Sequence, residues 1–215
     1  KTAEEIGFGY KDVIFDDNVT TEEVVDVIKK LNEDNDMAGI IVQLPLPPQF
    51  DKQAILDAVS PEKDVDVLGS VASEFFYSNK STLALPTANA VMKILEQISV
   101  DFNDKKLVIL GQGPLVGKPV SHLLMNQGIV HDVVTKKTEE TLKMDLIRNA
   151  DILISAMGVP YAISADMVKE GVIIIDAGTS EMEGSIVGDV DFASVGSKAS
   201  YITPTPGGVG PVTVA

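Results

Sequence analysis

The chain has 215 residues, 17 basic against 32 acidic side chains for a net charge of −15, and no cysteine. That balance opposes nonspecific contact with nucleic acid or anionic membranes, and the missing thiols exclude disulfides and thiolate chemistry and suit a cytoplasmic setting. The length allows a sizeable core in one or two domains, while apolar runs such as Val172 to Ile175 stop far short of the roughly 20 residues a membrane helix needs.

Thr2 to Ile6 reads as the last turns of a helix ending near Gly7 and Gly9, and Pro211 to Ala215 as the place where another could start. The chain is therefore expected to be part of a longer one. Asp12 to Phe15 is predicted to be a strand. Thr20 to Asn35 is predicted to be a helix, with a capping box from Thr20 to Glu23 and an apolar face of Val24, Val25, Ile28 and Leu31. Gly39 to Val42 follows as a buried strand, then a helix from Asp51 to Val59 that Pro61 stops. This βαβα alternation predicts a parallel sheet covered by helices.

After Pro86 and Thr87, the spacing of Val91, Ile94, Leu95 and Ile98 predicts a longer helix linking two domains. A second βα series starts at Lys106. It comprises a strand at Leu107 to Leu110, a glycine turn, a helix up to Gly128, a strand at Ile129 to Val134 and a helix from Thr138 to Asn149. A strand at Asp151 to Ala156, a short helix capped by Ser164 and ended by Gly171, and a strand at Val172 to Asp176 complete it. Three prolines and three glycines from Pro204 to Pro211 forbid a helix or central strand there, leaving a ligand-facing loop or a domain connection.

The turn Gly111-Gln112-Gly113-Pro114-Leu115-Val116-Gly117 has the spacing Gly-x-Gly-x-x-x-Gly between a strand and a helix. It fits a dinucleotide pyrophosphate resting on a helix N-terminus, or equally a tight strand-to-helix packing. Lys136 and Lys137 after the second strand favour the 2′-phosphate of NADP over the ribose of NAD, unless they are a solvated pair. Arg148, the only arginine, lies in the following helix, so a guanidinium clamp is not expected. Gln43 stands where Pro45 and Pro47 end a strand, at a ligand-binding sheet edge, or is a loop glutamine in water. Asp64 and Asp66 would share one side in extended backbone, as a ligand-orienting or metal-binding pair or as simple surface. His122 and His131 lack ligand spacing and read as structural or exposed, so no metal is implied.

Ile41 to Pro47, Pro61 to Asp66, the glycine turn, Val187-Gly188-Asp189-Val190-Asp191 and Ile202 to Thr213 together resemble the bifunctional methylenetetrahydrofolate dehydrogenase/methenyltetrahydrofolate cyclohydrolase family. The resemblance covers nearly the whole chain. It implies a two-domain α/β protein: a folate-binding catalytic domain from residues 1–96 and 205–215, and a Rossmann-like NAD(P) domain from 97–204. It further implies a cytoplasmic homodimer acting on tetrahydrofolate derivatives, with NADP as cofactor and NAD as the alternative. In the implied reactions, 5,10-methylenetetrahydrofolate is oxidised and its methenyl product hydrolysed to 10-formyltetrahydrofolate.

By the same resemblance Gln43 and Asp66 are catalytic, Asp66 accepting from the pterin N–H groups and Gln43 tuning the family's lysine. Val42, Leu44, Pro206, Gly207, Gly208, Val209, Gly210 and Pro211 would border the folate. Gly111, Gln112, Gly113 and Thr179 would line the cofactor site, with Lys136 at the 2′-phosphate. Four departures stand out. The family's Tyr-x-x-x-Lys motif, expected just before Lys1, is not in these 215 residues, and Gly-Arg-Ser is here Gly111-Gln112-Gly113. The glycine after the second aspartate is Val67, and Pro-Cys-Thr-Pro is Leu85-Pro86-Thr87-Ala88. The first two leave open a degenerate relative that binds folate or nucleotide without turnover.

Overall fold

The computed structural model describes residues 7–16, 18–80 and 85–214. The turns expected over residues 2–6 lie outside them. Helix α1 (Thr21–Glu33) forms as predicted: Thr20 Oγ1 accepts from Glu23 N at 3.2 Å and Glu23 Oε2 from Thr20 N at 2.8 Å, closing the capping box. Helix α2 (Lys52–Ala58) is capped by Asp51. Val24 and Ile28 of α1 bury against Ile55 of α2, with Ile40 and Val59 completing this small core.

The two strands expected nearby do not form. Ile14 is 89% exposed, and Asp12 to Phe15 has no ladder partner among the described residues. In place of a buried strand, Gly39 to Val42 makes a single parallel bridge, Ile40 to Asp64, with Ile40 N donating to Lys63 O at 2.8 Å. An apolar run becomes a strand only when neighbours take up its backbone groups, which periodicity does not report. Helix α3 (Ser70–Tyr77), which the sequence reading does not anticipate, starts where Asp57 accepts from Ser70 N at 2.6 Å.

Helix α4 (Pro86–Gln97) carries Val91, Ile94 and Leu95 into the larger core. Beyond it come β1 (Leu107–Leu110), α5 (Gly117–Asn126), β2 (Asp132–Val134), α6 (Glu140–Asn149), β3 (Ile152–Ser155) and β4 (Ile173–Asp176). The chain continues through β5 (Ser180–Met182), β6 (Ser185–Val187), α7 (Phe192–Val195), β7 (Tyr201–Ile202) and α8 (Val209–Thr213). The short helix expected after Ser164 is only a 3-10 turn, Ala165–Met167, and the Ser164 hydroxyl bonds Asp166 instead of capping it.

Five strands form a parallel sheet in the order β2-β1-β3-β4-β7, and β5 and β6 form a separate antiparallel hairpin. The parallel strands are apolar on both faces because helices cover both. Leu107, Ile109, Ile152, Ile154 and Ile175 face one core with α4 and α5; Val108, Leu110, Leu153 and Ile174 face the other with Ile147 of α6. The Pro/Gly stretch does hold a helix after all. α8 starts at Val209, so Pro211 falls in its first turn, where a missing N–H breaks no helical bond.

Candidate functional site

The chain runs from β1 outward to β2, then back across β1 to β3, so the loops after β1 and β3 part at the sheet's C-terminal edge and leave a crevice. The glycine turn fills it. Gly111, at φ 97°, donates its N–H to Val134 O at 2.8 Å, which ties the turn to the end of β2. A Cβ on Gly111 would strike the Ala156 carbonyl after β3, and one on Gly117 the Gly111 carbonyl. Packing alone therefore demands both glycines. Gly113 differs, because nothing lies within 4 Å of the place its Cβ would take. Beside it α5 begins without a side-chain cap, a geometry suited to an anion.

Gln112 is exposed, and so are Lys136 and Lys137 in the turn after β2. That turn is shaped by Thr138 Oγ1 accepting from Thr135 N at 2.9 Å and Thr135 Oγ1 accepting from Lys137 N at 3.2 Å. Thr179 is exposed on the loop after β4, across β3 from the glycine turn. All five expected cofactor residues thus lie on loops at one sheet edge.

The Ile40–Asp64 bridge is parallel, so Gln43 and Asp66 both lie just past the paired positions and at the same end of the two segments. Gln43 is exposed between partly buried Val42 and Leu44, its Nε2 donating to Leu44 O at 3.1 Å. Val67, next to Asp66, and Val209, inside Pro206 to Pro211, are buried in the core that also contains Leu107 and Ile109 of β1. Around Val209, Pro206, Gly207, Gly210 and Pro211 are exposed and Gly208 is partly buried. One apolar cluster therefore anchors the Asp66 segment, the proline loop and the strand feeding the glycine turn.

Asp64 and Asp66 do not form an extended pair. Their segment is a turn in which buried Asp64 accepts from Gly69 N at 2.7 Å, whereas Asp66 is half-buried, its carboxyl pushed up by burial and by the Asp64 charge. The preceding Lys63 is occupied too. Its ammonium donates to the carbonyls of Leu31 (3.2 Å), Asn32 (2.7 Å) and Asp34 (2.6 Å), satisfying the C-terminus of α1.

His131 bonds Ser121 Oγ at 2.6 Å and His122 lies against the rings of Phe76 and Tyr77, both structural. Among the described residues no group of His, Asp or Glu has metal-binding geometry.

Two buried acids at the same edge have no role in the sequence reading, although it includes both positions. Asp176, 3% exposed, ends β4, and Asp189, fully buried, follows β6. Burial, reinforced by the Asp189 charge, pushes the Asp176 carboxyl up to about 6. Asp176 also borders an open cleft of about 500 Å³ with Tyr161, Phe192, Thr203 and Thr205, which none of the expected site residues lines. Their sequence signal is an aspartate two residues before, or directly after, a glycine at the end of an apolar run.

Residues 1–66 match the family described as tetrahydrofolate dehydrogenase/cyclohydrolase, catalytic domain, and residues 85–215 its NAD(P)-binding domain. The chain is 37% identical over 213 residues to the bifunctional protein FolD of Clostridium tetani, covering 99% of this chain and 76% of that protein. The crystal structure of the Campylobacter jejuni bifunctional enzyme FolD is 39% identical, with a TM-score of 0.90 over 99% of this chain and 75% of that one. The Trypanosoma brucei N5,N10-methylenetetrahydrofolate dehydrogenase-cyclohydrolase, solved with NADP cofactor and an inhibitor, is 38% identical with a TM-score of 0.90, over 99% and 74% of the two chains. The chain belongs to the tetrahydrofolate dehydrogenase/cyclohydrolase family.

Proposed function

We propose that this protein is a bifunctional enzyme of one-carbon folate metabolism: it oxidises 5,10-methylenetetrahydrofolate to the methenyl form with NADP, and the methenyl form is hydrolysed to 10-formyltetrahydrofolate. The observation that carries this reading is the shared apolar cluster that brings the Asp66 turn and the Pro206–Pro211 loop to the strand of the glycine turn. Hydride transfer needs folate and nicotinamide in near contact, and this arrangement supports that. Residues 1–96 with 205–215 would be the folate domain and 97–204 the cofactor domain.

In this reading Asp66 accepts from the pterin N–H groups, with Gln43, Val42, Leu44 and the loop from Pro206 through Gly207, Gly208, Val209 and Gly210 to Pro211 around the folate. Gly111, Gln112, Gly113 and Thr179 would line the cofactor site, with Lys136 toward the 2′-phosphate. NADP supplies a hydride acceptor; the protein's part is to bind, orient and exclude water. The second reaction calls for the lysine of a Tyr-x-x-x-Lys motif, which the 215 residues do not contain. Lys63 is no substitute, since its three donors are committed to carbonyls.

A cytoplasmic homodimer that shuns nucleic acid and membranes is the accompanying expectation. It is supported by the −15 charge, by the absence of any membrane-length apolar helix among the described residues, and by Met182 and Ile186, 42% and 54% exposed on the β5–β6 hairpin. Following NADPH formation with 5,10-methylenetetrahydrofolate tests the dehydrogenase assignment. Binding of both ligands without turnover would favour the degenerate relative instead.

A further inference from the structure

We infer that Asp189 and Asp176 are positioning residues for the dinucleotide, two buried carboxylates that lock the loops after β3 and β4 into the shape the cofactor needs. The inference rests on the NADP reading of this sheet edge.

Asp189 Oδ2 accepts from Ser155 Oγ and Met157 N, both at 2.7 Å, and its Oδ1 from Val159 N at 2.8 Å. Asp176 Oδ1 accepts from Gly178 N at 3.0 Å and Asp189 N at 3.3 Å, and its Oδ2 from Val190 N at 3.0 Å. The two acids also interlock through glycines. A Cβ on Gly178 would occupy the place of the Asp189 carboxylate, and one on Gly188 that of the Asp176 carboxylate.

The consequences reach the cofactor edge by short covalent steps. Met157, held by Asp189, follows Ala156, whose carbonyl limits Gly111. Gly178, held by Asp176, precedes Thr179. Fold stability alone does not call for this arrangement, because burying charge is expensive and apolar replacements of buried ionic groups are often neutral or stabilising. Carboxylates offer what an apolar core cannot: several acceptors per residue that fix backbone N–H groups in irregular loops.

The test is to measure NADPH and tetrahydrofolate affinities for the 215-residue chain, Asp189→Asn and Ser155→Ala. An Asn carries no charge and accepts at only one of the two former oxygen positions, so both loop N–H groups lose a charged acceptor and one of them loses its acceptor altogether. Asp189→Asn is expected to weaken NADPH about tenfold, the equivalent of one charge-assisted hydrogen bond. Ser155→Ala, which leaves the two backbone donors in place, should weaken NADPH about threefold, a neutral bond's worth. Tetrahydrofolate affinity should stay within about twofold in both. If Asp189→Asn does not fold, the Ser155→Ala comparison decides. Unchanged NADPH affinity, or equal losses for both ligands as general loosening would give, overturns the positioning role. A wild-type chain that binds tetrahydrofolate but neither NADPH nor NADH overturns the cofactor reading, and this inference with it.

Discussion

Val67 occupies the left-handed region at φ 55°, where a β-branched side chain is strained, yet its side chain is 3% exposed in the core. Left-handed backbone costs an L-residue roughly 1–2 kcal/mol, while burying a valine gains about 1.5–3 kcal/mol. Val67→Gly forfeits burial but relieves strain; Val67→Ala forfeits most of the burial and keeps the strain. Chemical denaturation should therefore find Val67→Ala the less stable of the two, against the usual order in which glycine is worse. Asp66 and Asp176 give a second residue-scale expectation. Each has a folded pKa raised above 3.8, Asp66 by burial and Asp64, Asp176 by burial and Asp189. The native state thus binds their protons more tightly than the unfolded chain, so their ionisation costs stability above the folded pKa. For Asp176 that cost is fully present well above pH about 6 and fades as the pH falls from there toward 3.8. Asp66→Asn should accordingly leave the melting temperature near neutral pH unchanged or higher while weakening tetrahydrofolate binding about tenfold or more. A lower melting temperature together with unaltered folate affinity would contradict the pterin role.

Within the glycine turn the structure separates two jobs that the spacing merges. Gly111→Ala must push into the Ala156 carbonyl and should destabilise the fold by several kcal/mol, whereas Gly113→Ala meets open space and should leave melting unchanged while lowering NADP affinity. If Gly113→Ala binds NADP like wild type, the pyrophosphate does not approach there. On the neighbouring turn, Lys136→Ala should reduce a modest, salt-sensitive preference for NADP over NAD, because one exposed ammonium is a poorer phosphate partner than a guanidinium. Titration of both cofactors at low and high salt checks this; an unchanged ratio would assign the lysines to solvent. The elements most legible in the sequence are those that local signals specify: the capping box of α1, the helix α2 stopped before Pro61, and the apolar runs of β1, β3 and β4. What escapes it depends on distant partners. Helix α3 starts on Asp57, thirteen residues back, and Asp12 to Phe15 and Gly39 to Val42 look like strands without the neighbours that make strands. In the candidate site, the glycine turn, Gln43 and Asp66 are legible as motifs. The Asp176–Asp189 lock is not, since its meaning lies in donors from the end of β3 and from the loops after β3, β4 and β6.

Across the molecule, the apolar cluster joining Val67, Val209 and the β1 residues Leu107 and Ile109 supports a single shared site for folate and dinucleotide. The two reactions then differ in what they ask of the chain. Oxidation needs the ligands side by side, and the residues proposed for that are all present. The family resemblance assigns hydrolysis to the lysine of a Tyr-x-x-x-Lys motif that these 215 residues do not contain; Lys63 is committed to the end of α1, and Gln43 is no base at neutral pH. The most direct measurement is a coupled assay of the 215-residue chain with 5,10-methylenetetrahydrofolate and NADP, following NADPH and methenyltetrahydrofolate together. The expected result is NADPH equal to the methenyl form plus its hydrolysis product at every time, with the methenyl form lost no faster than its spontaneous rate. Failure to form NADPH at saturating levels of both ligands would contradict the shared-site reading.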